Sequence, residues 1–499
     1  MLYNKISINQ QGDNMKRNKI ATIALASMLA VSACIGLTAC KENKSNSKLP
    51  EYPFWLPEEP ATQNASVHDP SVFQDPADGK FYAFGSHFAV ASSTDLISWR
   101  QVASEGAQGQ QMLYGTTNWR SVLPLSDALV GGSQNTWAPD VEKIGDTYYM
   151  YYSLTSGFGS GRSVIGRVSS DSVTGPYSNE EIIVYSSEKA GEPNAIDPEL
   201  FYDESGRLWM VYGSFYGGIF LIELDPATGL RKDGRTYRDY QAGKYTLNEY
   251  FGKMLWKGGG GGVEGPFIFY DETQGYYYLM VSDGDLSSNY NMLVARSENP
   301  DGPYTDIRGN DVAANIGGGN KLAGNYQFAG DQGYAAIGHN SVVQLDGKTL
   351  VVAHTRYRSG PDGVSGNHNL RVLEMYFNED GWPVLSPNAY AGEEPGLVTQ
   401  AEAAGDYQVV VHTTKRNDAT FVDSVPYTFS EDGKILSGTA EAGTWTVISD
   451  YYVEIVLNNI TYNGVIAPAW ISYENAGGLC MTAESDQGGS IWANQVIGE

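Results

Sequence analysis

Five residues able to hold or hand on a proton, Asp69, Asp140, Asp197, Glu264 and His339, each stand at the head of the same short phrase. The phrase is an apolar run, a few turn residues, then an aromatic or β-branched run. One copy reads Asp197-Pro198-Glu199-Leu200-Phe201-Tyr202, then Gly206, then Leu208-Trp209-Met210-Val211-Tyr212-Gly213-Ser214. Carboxylates that meet in one place suit general acid–base work: one ionised to activate water, another protonated for a leaving oxygen, a third keeping those two states apart. The chain shows no nucleophilic serine or cysteine motif, no phosphate-binding glycine loop and no histidine/cysteine metal cluster, so proton transfer at a glycosidic bond is the chemistry that fits these groups. The same residues could instead cap strand ends or hold an ion, and register alone leaves both uses open.

Such residues matter only if the fold brings them together. The phrase reads as a β-hairpin, and its five starting residues are separated by 71, 57, 67 and 75 positions. That spacing accommodates four antiparallel strands and their loops, so each copy predicts the start of one blade of a five-bladed β-propeller. The innermost strands of a propeller line its axis, and residues at the same register there converge on one funnel.

Aromatic residues make up 12% of the 499 and glycines number 58, which suits an all-β chain with tight turns. With 32 basic against 58 acidic side chains the net charge is −26; such a surface repels phosphate backbones and excludes nucleic acid as a partner, while neutral sugars are unaffected. Residues 1–40 read as an export signal: Met15-Lys16-Arg17-Asn18-Lys19 is basic, an apolar stretch follows, and Leu37-Thr38-Ala39-Cys40 resembles a bacterial lipoprotein cleavage site with Cys40 as the lipidated residue. The expectation is an exported lipoprotein, held at the membrane only through its lipid and facing the periplasm or the cell surface. Residues 41–65 form a polar tether, 66–395 the propeller, and 396–499, with alternating strands that lack the repeated phrase, a small β-barrel or sandwich. Cys480 is the one cysteine beyond the signal, so no internal disulfide is expected, and the chain reads as a monomer.

Two glycine-rich stretches frame the expected funnel. Gly258 to Gly262 precede Glu264 and let backbone approach a ligand closely; residues 309–338 read as a long Gly/Asn-rich insertion able to reshape the cleft. Trp137 stands beside the second acidic station, where an indole either stacks on a sugar or packs in the core.

The stations His68-Asp69-Pro70-Ser71, Trp137-Ala138-Pro139-Asp140-Val141, Asn194-Ala195-Ile196-Asp197-Pro198, Gly213-Ser214-Phe215-Tyr216, Val263-Glu264-Gly265-Pro266-Phe267 and Gly338-His339-Asn340-Ser341 occur in order, and in them the sequence resembles glycoside hydrolase family 43, within it the endo-α-1,5-L-arabinanases. The resemblance spans residues 66–395 and, more faintly, the C-terminal domain. It implies an inverting hydrolase of plant arabinan or arabino-oligosaccharides, with Asp69 as general base, Glu264 as general acid and Asp197 as the residue that tunes and orients the acid. It further implies substrate contacts from Trp137, Asn194, Ala195, Ile196, Ser214, Phe215 and Tyr216, and a single calcium ion held at His339. Gly265 departs from the alanine common after the acid. An exo-acting arabinofuranosidase or β-xylosidase with the same three carboxylates, and a glycan-binding lipoprotein without turnover, are the rival readings.

Overall fold

A computed structural model describes residues 56–60, 65–133, 135–258, 262–361, 363–416 and 418–497. The signal segment with Cys40, most of the tether, and Gly259 to Gly261 lie outside the described residues. Four of the five phrases open four-stranded antiparallel sheets in which the strands follow chain order. Their first strands are Ser71–Gln74, Trp137–Ile144, Glu199–Tyr202 and Val263–Asp271. The fifth phrase departs from that form. Its strands, Tyr334–Leu345 and Lys348–Ser359, belong to a seven-stranded sheet continued by Asn369–Phe377 and Pro383–Leu385 on one side. On the other side Tyr326–Gln327 pairs in parallel with Val422–Asp423, a strand that arrives from beyond the propeller region.

Successive first strands touch one another, and Tyr334–Leu345 touches Ser71–Gln74, so the arrangement is propeller-like and closed about an axis. Strands such as Phe81–Phe84 are buried at every residue, because each sheet is covered on both faces by its neighbours. The cores between sheets are aromatic; Trp256, Tyr151, Tyr212 and Tyr278 are wholly buried. Each such side chain contributes about 1.5–3 kcal/mol by leaving water.

One backbone device recurs at the head of every first strand. Asp69, Ala138, Asp197, Gly265 and His339 all have positive φ, at 54°, 31°, 59°, 54° and 45°. The ladders carry register shifts at three of these places, between Trp137 and Asp140, between Glu264 and Phe267, and between Gly338 and Ser341. A bulge there turns the chain so that side chains at the strand mouth point along the axis. The bulge also corrects the register read from the repeat. The equivalent stations are Asp69, Ala138, Asp197, Gly265 and His339, so Glu264 sits one residue early and Asp140 two residues late.

The sheets are stitched at this level by a ring of side-chain bonds. The Ala138 N–H donates to Ser86 Oγ at 2.8 Å, Asp197 N–H to Ser153 Oγ at 3.0 Å and His339 N–H to Ser282 Oγ at 2.7 Å. Ser214 Oγ donates to Glu264 Oε2 at 2.8 Å, and Asp69 N–H donates to His354 Nδ1 at 3.2 Å, which carries the ring from the seven-stranded sheet back to the first. These partners, Ser86, Ser153, Ser214, Ser282 and His354, each hold the last station of the repeated phrase. Two residues deeper, Asp140 accepts from Ser71 Oγ at 2.6 Å and from Leu200 N–H at 2.9 Å, and Glu199 accepts from Ile268 N–H at 3.2 Å. Asp140 therefore ties sheets together below the funnel.

Residues beyond 404 form a closed eight-stranded antiparallel barrel that starts with Gly405–Val411 and ends with Ser490–Gln495. The expected insertion at 309–338 is largely structure. Asn320–Ala323 is the fourth strand of the fourth sheet, Leu322, Tyr326 and Phe328 are core residues, and no residue of the segment lines the funnel cavity described next. Glycine and asparagine counts misread it because its apolar residues are few but most of them, Val312, Leu322, Tyr326 and Phe328 among them, are buried.

Candidate active site

A cavity of about 670 Å³ opens at the axis and brings Asp69, Asp197, Glu264 and His339 together with Trp137, Asn194, Ile196, Ser214, Phe215 and Tyr216. That size suits a small-molecule or oligomer-end site. Of the residues expected to contact substrate, Ala195 alone is absent from the lining. It is fully buried in the core beneath the third sheet, with its N–H donating to Ser186 Oγ, so its side chain cannot reach a ligand.

The carboxylates differ in their surroundings. Asp69 Oδ1 lies 3.1 Å from His339 Nδ1, 3.2 Å from His68 Nε2 and 3.4 Å from His354 Nδ1, while Oδ2 accepts from Ser86 Oγ at 2.5 Å. Burial alone would push this carboxyl up. The His339 charge and its hydrogen bond to Oδ1 outweigh it and hold Asp69 well below the usual carboxylate range. Glu264 is buried without such compensation; burial raises it, His339 and the Ser214 hydrogen bond only partly oppose this, and Asp69 raises it further. Asp197 is likewise pushed up, by burial first and then by the negative charges of Glu264 and Asp69, against the opposing pull of His339. Its Oδ2 accepts from Gly265 N–H at 3.1 Å, which fixes the backbone next to Glu264. Two neighbouring carboxyls that burial pushes up titrate together and hold a proton past the ordinary carboxylate range. The site thus contains one carboxylate kept ionised and a pair kept protonated, the division of labour that acid–base hydrolysis requires.

Five of the six histidines, His68, His87, His339, His354 and His368, gather around Asp69; the sequence reading singled out His339 alone. Asp69 and neighbouring carboxylates raise His339 to about 9 against the lowering effect of burial, so it is an imidazolium paired with the base. Burial lowers His68 to about 3 and His368 to about 2, and these two rings stack at 3.7 Å with an interplanar angle of 4°. His68, His354 and His368 approach closely enough to suggest a metal cluster. Parallel stacked rings do not converge their nitrogens on one point, however, and Arg356 Nε donates to His368 Nε2 at 2.9 Å, so the cluster is built as an aromatic stack against Asp69.

Other lining residues were not singled out by sequence: His87, Glu105, Phe158, Asp285, Leu286 and Arg356. Phe158 is 84% exposed and stands edge-on to Trp137 at 6.2 Å, while Tyr216, 48% exposed, donates to the Gly159 carbonyl at 2.5 Å. These rings form an aromatic rim of the kind on which sugar faces stack. Gly262 is obligatory beside that rim, since a Cβ there would stand 2.2 Å from the Phe215 ring. Tyr290 is fully buried; its hydroxyl faces the Glu264 carboxyl without a well-aligned hydrogen bond, and its ring lies parallel to His354 at 5.6 Å.

Beneath these groups lies a second cavity of about 20 Å³, bounded by Asp69, Asp140, Asp197, Glu199, His339, Asn340 and Ser341, with room for one water or ion. Asn340 Oδ1 and Ser341 Oγ are buried there without hydrogen-bond partners among the described residues.

Known proteins share this arrangement. An endo-α-(1→5)-L-arabinanase of Thermotoga petrophila is 36% identical over 476 residues, covering 88% of this chain and 95% of its own. The second extracellular endo-α-(1→5)-L-arabinanase of Bacillus subtilis is 33% identical, covering 88% and 94%. A crystal structure of the T. petrophila endo-1,5-α-L-arabinanase superposes with a TM-score of 0.79 at 33% identity, over 88% of this chain and all of that one. The pattern of a C-terminal lipocalin-like domain matches residues 387–493, where the eight-stranded barrel lies. The pattern of glycosyl hydrolases family 43 matches residues 60–383, the propeller with its cavity, and the chain belongs to that family.

Proposed function

We propose that this family 43 glycosyl hydrolase cuts internal α-1,5-L-arabinofuranosyl bonds of arabinan with inversion, Asp69 acting as general base and Glu264 as general acid. The observation that carries the reading is the single cavity in which histidines keep Asp69 ionised while burial keeps Glu264 protonated. Asp69, freed of its proton, takes one from a water that attacks the anomeric carbon; Glu264 gives its proton to the departing glycosidic oxygen. Inversion needs room for that water, a carboxyl spacing of about 6.5–9.5 Å in such enzymes. Asp197 orients the acid through Gly265 N–H. The relatives' substrate supports arabinan, and the aromatic rim of Trp137, Phe158 and Tyr216 supports a chain lying across the funnel. A time course on linear arabinan tests this: a ladder of oligosaccharides in the first minutes is expected, whereas arabinose alone from the start would replace the endo reading with an exo one.

A calcium ion fits the small axial cavity. Asn340 Oδ1 and Ser341 Oγ are unpartnered oxygens, Asp140 and Glu199 are carboxylates raised by burial, and hard cations take such donors. His339 would ligate through Nε2 only after giving up its proton, since Nδ1 is paired with Asp69 Oδ1 and the ring is otherwise an imidazolium. The ion would supply positive charge beneath the carboxylates. Exhaustive chelation is then expected to lower the melting temperature and calcium to restore it; no change in melting would remove the ion from this reading.

We further read the seven-stranded sheet as a fifth blade enlarged by Tyr326–Gln327 and Val422–Asp423, with the propeller over 66–395 and the barrel over 396–499. Cys40 is read as a lipid anchor; Cys40→Ala is expected to move the protein from the membrane to the soluble fraction, and a wild type already soluble would refute it.

A further inference from the structure

The barrel domain reaches the catalytic cavity through one arginine. Asp283 ends the second strand of the fourth sheet, Tyr276–Asp283, in which Ser282 lies opposite Glu264 and Asp283 opposite Val263. The chain then leaves the sheet over 284–290 and returns as Asn291–Ser297, with Asn291 opposite Asp283. Within that excursion Gly284, Asp285 and Leu286 line the catalytic cavity, and Tyr290 presents its hydroxyl to Glu264.

The base of the excursion is clamped from the barrel side of the chain. Arg416 Nη2 donates to Asp283 Oδ1 at 2.7 Å, and the Asp283 side chain is 1% exposed. Arg416 Nη1 donates to the carbonyl of Ile316, and the Arg416 carbonyl accepts from Asn291 Nδ2 at 2.9 Å. Asn325 Nδ2 adds a second tie, donating to the Ser288 carbonyl at 2.6 Å and to that of Ala419 at 3.3 Å. Asp283 Oδ2 has no hydrogen-bond partner among the described residues, so the guanidinium makes the direct pairing with this buried carboxylate, with the buried Lys321 ammonium nearby. An unpaired buried carboxylate is strongly unfavourable, and loss of the partner drives it to take up a proton or to shift the chain carrying it toward water. Here the mobile part would be the wall of the active site.

We infer that Arg416 is a positioning residue for catalysis: by pairing with Asp283 it holds the 284–290 excursion, and through it Tyr290, against the acid Glu264. The barrel is thereby part of the catalytic apparatus and not only an appendage. The inference rests on reading Glu264 as the acid.

The test uses the full chain, linear arabinan and the variants Arg416→Met and Arg416→Lys. Arg416→Met is expected to lower kcat by about 10- to 100-fold, the scale of an ångström-sized misplacement, with KM changed little. Arg416→Lys, which keeps the charge beside Asp283, is expected to recover most of kcat, and added methylguanidinium to restore part of it to Arg416→Met. Wild-type kcat in a folded Arg416→Met, whatever its melting temperature, overturns the inference. Should Arg416→Met fail to fold, the neutral pair Asp283→Asn with Arg416→Gln replaces it, and wild-type kcat there overturns the inference equally. Glu264→Gln measured alongside separates the two claims: activity that survives Glu264→Gln sinks the acid assignment, whereas an enzyme that needs Glu264 but ignores Arg416 sinks this inference alone.

Discussion

Replacing Gly265 by alanine is expected to damage this protein. Gly265 sits at φ +54°, where an L side chain costs about 1–2 kcal/mol. The added Cβ would lie 2.9 Å from His339 Cγ and 3.0 Å from Nδ1, whereas ordinary contact begins near 3.4 Å. The imidazole must therefore retreat by about half an ångström, and the atom that moves is the one 3.1 Å from Asp69 Oδ1. Two consequences follow together. The melting temperature should fall by about 1.5–3 °C, and kcat by about tenfold, because the charge that keeps Asp69 ionised is displaced. Differential scanning calorimetry and initial rates on linear arabinan measure both. Gly265→Ala with unchanged melting and unchanged kcat would show that His339 does not hold Asp69 as described.

Other outcomes follow from the same geometry. Ser86→Ala removes the 2.5 Å donor to Asp69 and leaves the Ala138 N–H unpaired, so chemical denaturation should show a loss of about 1–3 kcal/mol, with reduced kcat; full stability would refute the stitched ring. The pH dependence of stability carries a histidine signature. His68, His368 and His412 have folded values lowered by burial to about 3, 2 and 3, so the unfolded chain binds protons first as pH falls below about 6.5. Stability is retained above that point and should decline below it by up to about 1.4 kcal/mol per pH unit for each histidine; a flat profile from pH 7 to 5 would contradict their neutrality. His339, raised to about 9, acts in the opposite sense, contributing fully below about 6.5 and losing its contribution as pH rises through about 9. Activity should fall on the alkaline side as the Glu264–Asp197 pair loses its proton, and hold on the acid side until Asp69 is protonated at low pH; loss of kcat beginning between pH 6 and 5 in a folded enzyme would contradict the low Asp69 value.

Much of the site was legible because a repeated phrase fixes which strands face the axis. The place where the reading slipped is equally informative. Aligning the copies on their carboxylates put Asp140 beside Asp69; aligning them on proline, through Asp69-Pro70, Ala138-Pro139, Asp197-Pro198 and Gly265-Pro266, gives the register the structure adopts. The bulge itself is invisible to composition, since positive φ falls on Asp, Ala and His as well as Gly. The serine or histidine that closes each phrase, Ser86, Ser153, Ser214, Ser282 and His354, was in view as a strand ending; only the folded ring reveals it as the stitch to the next sheet. His68, His354 and His368 escaped notice as a group because they lie up to 300 residues apart and meet only where the seven-stranded sheet closes on the first sheet. Arg416 had no local signal at all, because its significance lies in an ion pair 133 residues away.

Reducing-end release from linear arabinan by Glu264→Gln and Asp69→Asn tests the acid–base assignment most directly. Turnover should fall by about 10²–10⁴-fold in each variant while melting stays cooperative. Either variant working at the wild-type rate would contradict it.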